Sequence, residues 1–482
     1  MKKVPALVAT VVSAALVLTM GGPTTSAGAA SAPGGSARAS VAGSGDSSGA
    51  TDRAKPDGRG GRYKVPTGAY FNNPRGSWYD RLKIERQVLR AIKATRKGAK
   101  IRIALYSFDR IPVARALIAA RNRGVHVQLL LNDHQDTRAM KMLRARLGTD
   151  VDKKDFIYKC HSGCRTDNRK RLLHTKFYTF TKAGGSKYAL FFGSANLTMN
   201  AARHQWNDLY LMDGDKELFA QYVALFEDMK KDYETMQPAF PDFCGIPQGA
   251  VCDDAVDTGT TVTFPRLLGP GNDPIIRILD KIQCITVSAD GKRVRTKLAV
   301  NMHTIRGRRG NYLADAYRRK FAEGCNARFS FGLVGYHTKR HLTAKTPRGR
   351  MPLRSTAFDY HPENNDNVKN NPDDKLDLTL DYYSHQKYLV IQGNYAGNPN
   401  ANLVFTGSSN WGALGAVNDE ILVNVIGKKV ARQYMTNFNF MWRPGNSRNA
   451  YTTTYTNFRG GYVTPEELAA RVSASGPTWE AD

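Results

Sequence analysis

The strongest constraint in this sequence is that the order of its elements occurs twice. KIRIALYSFD (100–109) reads as a strand, IPVARALIAARNRG (111–124) as a helix stopped by Gly124, and VHVQLLLN (125–132) as a second strand. RTKLAVNMHT (295–304), GNYLADAYRRKFAEG (310–324, stopped by Gly324) and NARFSFGLV (326–334) repeat that strand–helix–strand order. A helical pattern precedes each set, RLKIERQVLRAIKATRKG (81–98) in the first and DPIIRILDKI (273–282) in the second. Strand-like segments follow each set: RLLHTKFYTF, KYALFFGSAN and NDLYLMDG in the first, YYSHQKYLVIQG, NLVFTGSSNWG and NDEILVNVIG in the second. Strands alternating with helices predict sheets covered by helices on their faces. The recurrence predicts an internal duplication, an α/β chain of two similar halves, each a mixed sheet flanked by helices.

The same residues return at the same places in both halves. The first has His174 and Lys176, then Gly193-Ser194-Ala195-Asn196, then Asn207-Asp208 before an apolar run. The second has His385 and Lys387, then Gly407-Ser408-Ser409-Asn410, then Asn418-Asp419-Glu420 before an apolar run. On a strand, positions i and i+2 share a face, so each histidine and lysine would point into one site. These residue types suit an anionic phosphodiester. Lys176 and Lys387 supply fixed positive charge, while Asn196, Asn410, Ser194 and Ser408 supply neutral donors to its oxygens. A neutral imidazole can attack phosphorus, and a protonated one can give its proton to the departing alkoxide.

Over roughly residues 80 to 445 the chain resembles the phospholipase D superfamily. That family's signature is H-x-K, four residues, then Asp, followed by G-S-x-N or a close variant, and two such motifs from two halves meet at one active site. The resemblance implies one pseudo-twofold site and a phosphohistidine intermediate, with His174 as nucleophile and His385 as acid and later base. It also implies that Asp208 and Glu420, or Asp419 in place of Glu420, brace the far nitrogens of the histidines. The family's Asp would fall at Thr181 and Gln392, and this chain lacks it at both. Tyrosyl-DNA phosphodiesterase lacks it too. Neither metal nor cofactor is implied, since lysines and asparagines carry the charge. The acidic stretch 373–381 lacks the spacing of a calcium loop.

Charge and targeting bear on the substrate. The chain has 70 Lys+Arg against 42 Asp+Glu, a net charge of +28. Such an excess favours nucleic acid, anionic lipid headgroups or phosphate polymers of a cell wall, without choosing among them. Residues 1–30 read as a signal peptide and 31–62, rich in Gly, Ser and Ala, as a disordered leader. The expected boundaries thereafter are 63–262 and 263–482 for the two phospholipase D-like domains. Export suits six cysteines in three neighbouring pairs, Cys160 with Cys164, Cys244 with Cys252 and Cys284 with Cys325, although six allow many connectivities. CHSGC (160–164) matches no strong zinc pattern.

The expected activity is therefore that of a secreted phospholipase D, hydrolysing phospholipid headgroups with transfer to alcohols as a variant. A secreted metal-independent endonuclease and a non-catalytic binder of phosphate polymers are the alternatives. The basic stretches 304–311 and 337–354 favour nucleic acid, the second as a loop overhanging the cleft. Tyr382, Tyr383, Tyr388 and Trp411 favour peripheral contact with a membrane if they are exposed. A duplicated site makes a monomer sufficient.

Overall fold

A computed structural model describes residues 63–452 except 134–135, 167–170, 247–249, 288–290 and 359–381. The expected signal peptide, the leader and the acidic stretch 373–381 lie outside the described residues.

Two sheets carry the same strand order. From edge to edge the first runs Phe156–Cys160, His126–Asn132, Lys100–Leu105, Phe177–Ala183, Ser186–Gly193, Asp208–Met212 and Gly68–Phe71. The second runs Leu353–Ser355, Asn326–Val334, Lys297–Ile305, Lys387–Tyr395, Asn398–Gly407, Ile421–Ile426 and Thr261–Thr263, with Arg448–Asn449 added beside Leu353–Ser355. In each, the first three strands are parallel and the following ones antiparallel. Parallel neighbours need crossovers, and these are the helices Ile111–Asn122 and Arg138–Leu147 in one half, Gly307–Ala322 and Tyr336–Thr343 in the other. The duplication expected from the sequence is thus present in topology and direction.

Local chemistry explains the element ends. Gly124 and Gly324 adopt φ of 85° and 115°, beyond the reach of most side chains, and so terminate their helices. The helix expected over 81–98 is shorter, Lys83–Ala94, because Thr95 leaves the helical region and its hydroxyl donates to the Ile92 carbonyl at 2.6 Å.

Alternation along each strand divides the core. Tyr178 and Phe180 face the outer helices of the first half while Phe177 faces inward. Leu389 and Ile391 face the outer helices of the second half, and Tyr388 and Val390 face inward. The inward faces of both sheets share one apolar cluster with the helices Lys216–Met229 and Lys428–Trp442. The two halves therefore fold around a common centre, and this is what holds their motifs in register.

The basic stretch 337–354 is not the expected loop. It forms the helix Tyr336–Thr343, a turn closed between Thr346 and Gly349, and the strand Leu353–Ser355. Leu342, Met351 and Leu353 are buried and anchor it, while Arg340, Lys345, Arg348 and Arg350 are exposed. In 304–311, Arg309 is buried rather than presented to a ligand.

Candidate active site

Each H-x-K segment is stitched to the opposite half. The His174 amide donates to the Asp419 carbonyl at 3.1 Å and the Asp419 amide to Leu172 at 2.9 Å. In the mirror arrangement, the His385 amide donates to the Trp206 carbonyl at 2.9 Å and Tyr383 to His204 at 2.9 Å. His174, Lys176, His385 and Lys387 are all buried. The regular strands start later than the motif suggests, at Phe177 and Lys387, so both histidines sit just ahead of the ladder. Each lysine folds back on its histidine: Lys176 Nζ lies 2.6 Å from the His174 carbonyl and Lys387 Nζ 2.8 Å from the His385 carbonyl.

The second nitrogens are braced across the interface. His174 Nδ1 lies 2.7 Å from Glu420 Oε1, and His385 Nδ1 lies 2.8 Å from Asn207 Oδ1. Asp208, expected to brace a histidine, does not. Its Oδ2 accepts from Thr406 at 2.7 Å and from Tyr434 at 2.8 Å. The ladder explains the correction. Gly193 pairs with Leu209 and Gly407 with Leu422, so Asn207 is the counterpart of Glu420, and Asp208 that of Ile421. One residue of shift turns a side chain to the other face of a strand. Asp419, the other candidate brace, has its Oδ2 3.4 Å from the Arg165 amide, beside the Cys160–Cys164 disulfide loop.

Asn207 also fixes a tautomer. Its Nδ2 donates to the Ala201 carbonyl at 3.3 Å and to Gln205 Oε1 at 3.2 Å, leaving Oδ1 to accept from the imidazole. His385 therefore carries its proton on Nδ1, and its Nε2 accepts from Lys387 Nζ at 2.8 Å. His174 instead faces a carboxyl. Burial pushes Glu420 up to about 7, against the pull of Lys176, Ser408 and Lys387.

The G-S-x-N loops are held by matching hydrogen bonds. Asn196 Oδ1 accepts the Ser107 amide at 3.3 Å and Asn410 Oδ1 accepts the Thr304 amide at 3.2 Å. Ser107 and Thr304 are equivalent by the register of their strands against the H-x-K strands. Among the described residues both Nδ2 groups are buried without a hydrogen-bond partner. Ser194 Oγ accepts the Asp208 amide at 3.0 Å and Ser408 Oγ the Ile421 amide at 3.1 Å, so the serines secure the loops. A Cβ on Gly193 or Gly407 would run into the carbonyl of Asp208 or Ile421, which is why each motif opens with glycine. Behind the second loop, Arg309 donates to the Asn410 carbonyl at 2.8 Å and pairs with Asp273 at 2.8 Å.

Thr181 and Gln392 lie far along their strands. Thr181 accepts the Lys100 amide at 2.8 Å and Gln392 donates to Asn402 at 3.2 Å, both away from the histidines. Tyr388 and Trp411 are core residues, and Tyr382 and Tyr383 are half-buried. Two aromatic neighbours of the histidines carry no motif of their own. The Tyr106 ring lies 5.2 Å from that of His174, and the His303 ring 4.5 Å from that of His385. Their only sequence signal is a shared position at the end of corresponding strands.

The cysteines pair as Cys160–Cys164, Cys244–Cys252 and Cys284–Cys325, which leaves no thiolate in CHSGC for zinc. Among the described residues no three His, Cys, Asp or Glu side chains gather as a metal site, and no helix is long and apolar enough to cross a membrane.

Residues 88–230 match the family model described as cardiolipin synthase, PLD-like domain. Among solved structures, a phosphatidylserine synthase of Haemophilus influenzae Rd KW20 is similar at 12% identity, covering 84% of this chain and 93% of that one, with a TM-score of 0.49. A polyphosphate kinase of Porphyromonas gingivalis is similar at 12% identity over 84% of this chain, with a TM-score of 0.47, and the match spans 55% of the kinase. Nuc of Salmonella typhimurium, a phospholipase D family member, is 18% identical over 34% of this chain and 94% of its own, with a TM-score of 0.26. No curated protein matches the sequence.

Proposed function

Since this chain belongs to the phospholipase D superfamily, whose members act on phosphodiester bonds, we propose that it is a secreted phospholipase D-type hydrolase of phospholipid headgroups. The observation that carries the reading is the pair of buried amide donors, Asn196 Nδ2 and Asn410 Nδ2, without partners among the described residues, in the loops that follow two braced histidines. In the proposed reaction His174 Nε2 attacks phosphorus and forms a P–N bond as the bond to the headgroup oxygen breaks. For this step His385 is in its imidazolium form, having taken a second proton from solvent on Nε2 in place of the hydrogen bond from Lys387, and it gives that proton to the leaving alkoxide. It then takes a proton from water, whose oxygen displaces His174 from phosphorus; an alcohol in place of water gives a transfer product. Glu420 offsets the positive charge that appears on the His174 ring when it is phosphorylated. The neutral Asn207 offers no such compensation, which suits an imidazole that must release its proton.

Lipid as the substrate is supported by exposed aromatics near the loops. Trp78 and Tyr79 are 49% and 58% exposed, with the guanidiniums of Arg203 and Arg86 over their rings. Arg81 of the same short helix lines one cavity with Asn196 and Asn207. Aromatic and basic groups together suit a headgroup interface. Three disulfides fit export. The metal-independent endonuclease is supported by the exposed Arg340, Lys345, Arg348 and Arg350. Purified protein incubated in parallel with phosphatidylcholine vesicles and with plasmid DNA tests the choice. Choline release supports the lipase, nicked DNA the nuclease, and neither a binding protein for phosphate polymers.

A further inference from the structure

We propose that His303 is a positioning residue for His385, and that the two imidazoles titrate as a coupled pair which sets the acidity of His385. The proposal deepens the function above, in which His385 is the acid, but the coupling belongs to the resting protein and is testable without substrate.

His303 brackets His385 from both sides. It lies at the end of the strand Lys297–Ile305 and is 2% exposed. Its Nδ1 lies 3.0 Å from the Ser384 carbonyl, and its amide donates to the Gln386 carbonyl at 2.8 Å. A single residue thus holds the chain immediately before and after His385. Its ring stands against that of His385, centroid to centroid 4.5 Å at 58°. Room for this is made by Gly332, where a Cβ would come within 2.6 Å of the Ser384 carbonyl and 2.9 Å of the His303 carbonyl.

A carbonyl only accepts, so His303 Nδ1 carries a proton and any second proton goes to Nε2. Two imidazoles this close in a buried site cannot both be cationic at low cost, so they titrate as a pair. The charged or titratable groups in contact with them include Lys387, 2.8 Å from His385 Nε2, and Tyr383, whose ring is 5.5 Å from that of His303. Glu420 and Asp208 both feel the Lys387 charge. These carboxyls offset part of the Lys387 charge, and a proton on His303, with its ring 4.5 Å from that of His385, adds to what remains in opposing a proton on His385.

The first half lacks this device at the same place. Tyr106 stands where His303 does and takes up no proton, and Asn132, the counterpart of Gly332, holds the Leu173 amide at 2.8 Å. Both differences between the halves run in one direction. His174 has a carboxyl and a tyrosine beside it, which favours holding positive charge, whereas His385 has an amide and a second imidazole, which favours releasing it.

The test is an imidazole titration by NMR on the full chain with labelled histidine, the His385 signal being assigned by its loss in His385→Asn. His303→Gln keeps a donor for the Ser384 carbonyl but cannot titrate. In that variant the His385 midpoint is expected to rise by about 0.5–1 pH unit, and the basic limb of kcat/KM to move with it. A His385 titration unchanged in His303→Gln overturns the proposal. In the unsubstituted protein His303 and His385 should each show a two-step curve with shared midpoints, and two independent single-site curves overturn it without recourse to any variant. A coupled titration in a protein that turns over neither phosphatidylcholine nor DNA supports the coupling and refutes the hydrolase.

Discussion

Glu420 holds His174 from the opposite half at 2.7 Å, while Asn207, at the matching place in the other sheet, holds His385 at 2.8 Å. The geometry is two-fold and the chemistry is not. A carboxyl behind an imidazole compensates positive charge on the ring, and an amide orients it without compensation. This difference assigns the two histidines different work in the proposed reaction.

His174→Ala is therefore expected to cost at least about a thousandfold in turnover with every leaving group, because no P–N bond can form. His385→Ala should cost about 10²–10⁴ with an alkyl headgroup, and far less with p-nitrophenol, which departs without a proton. Rates on the two substrate types check the assignment. Equal losses for both variants on both substrates would remove it.

Asn207→Asp would give His385 the kind of partner that His174 has. The added carboxylate favours the imidazolium, so the His385 midpoint should rise by about 1–2 pH units. The basic limb of the pH–rate profile should follow it upward, and the plateau rate on alkyl headgroups should fall as the acid weakens. A profile superimposable on that of the parent protein would deny Asn207 any influence over the proton.

How much of this was legible in the sequence depends on the range of the cause. H-x-K, G-S-x-N, and the glycines at 124 and 324 act within a few residues, so pattern alone reveals them. The repeated order of segments likewise foretold two sheets of one topology. The partner of His385 is hidden because Asn207-Asp208 matches Asn418-Asp419 in letters, whereas the pairing of Gly193 with Leu209 and Gly407 with Leu422 aligns Asn207 with Glu420. Register belongs to the ladder, not to the run of letters. His303 was missed for a related reason: its contacts lie at 384–386, brought alongside by the pairing of Lys297–Ile305 with Lys387–Tyr395. The charges of 337–354 suggest an overhanging loop, while the buried Leu342, Met351 and Leu353 decide its path.

The buried carboxyl of Glu420 should also leave a mark on stability. Burial raises it from 4.5 to about 7 in the folded chain. A raised folded value means that its stabilising share is present in full below about 4.5 and is lost as pH rises through about 7. Glu420→Gln removes that loss. The fall in Tm between pH 5 and pH 8 should be smaller in the variant, although Asp419, also raised to about 7 by burial, keeps part of it. Turnover should drop at every pH. An undiminished fall in Tm would show that Glu420 is not the group responsible.

Arg309 links the second loop to the body of its half through Asp273, with both side chains buried. Arg309→Met leaves Asp273 buried without its cation, a change that costs about 3–5 kcal/mol. Denaturant unfolding measures this. Replacing both residues, Arg309→Met with Asp273→Asn, should recover much of the stability. Turnover should stay low, since the Asn410 carbonyl still lacks its donor. Recovery of full turnover in the double variant would mean that Arg309 serves stability alone.

Asn196 and Asn410 offer the most direct reading of the site as a phosphate cradle. Each is held by its oxygen on a backbone amide, and each presents a buried Nδ2 without a partner among the described residues. Removing one such donor from a developing oxyanion costs about 10²–10³ in kcat. Asn196→Ala and Asn410→Ala should each lose that much, chiefly in kcat, since the donors meet the phosphoryl oxygens most closely as charge builds on them. The replacement also removes the acceptor for Ser107 or Thr304, so Asn→Asp is the sharper control. It keeps the oxygen and places a second one where the N–H stood. A carboxylate there repels the phosphodiester, so Asn→Asp should fall below Asn→Ala in activity while matching or exceeding it in Tm. If Asn→Asp proves the more active of the two, the Nδ2 groups do not face the phosphate.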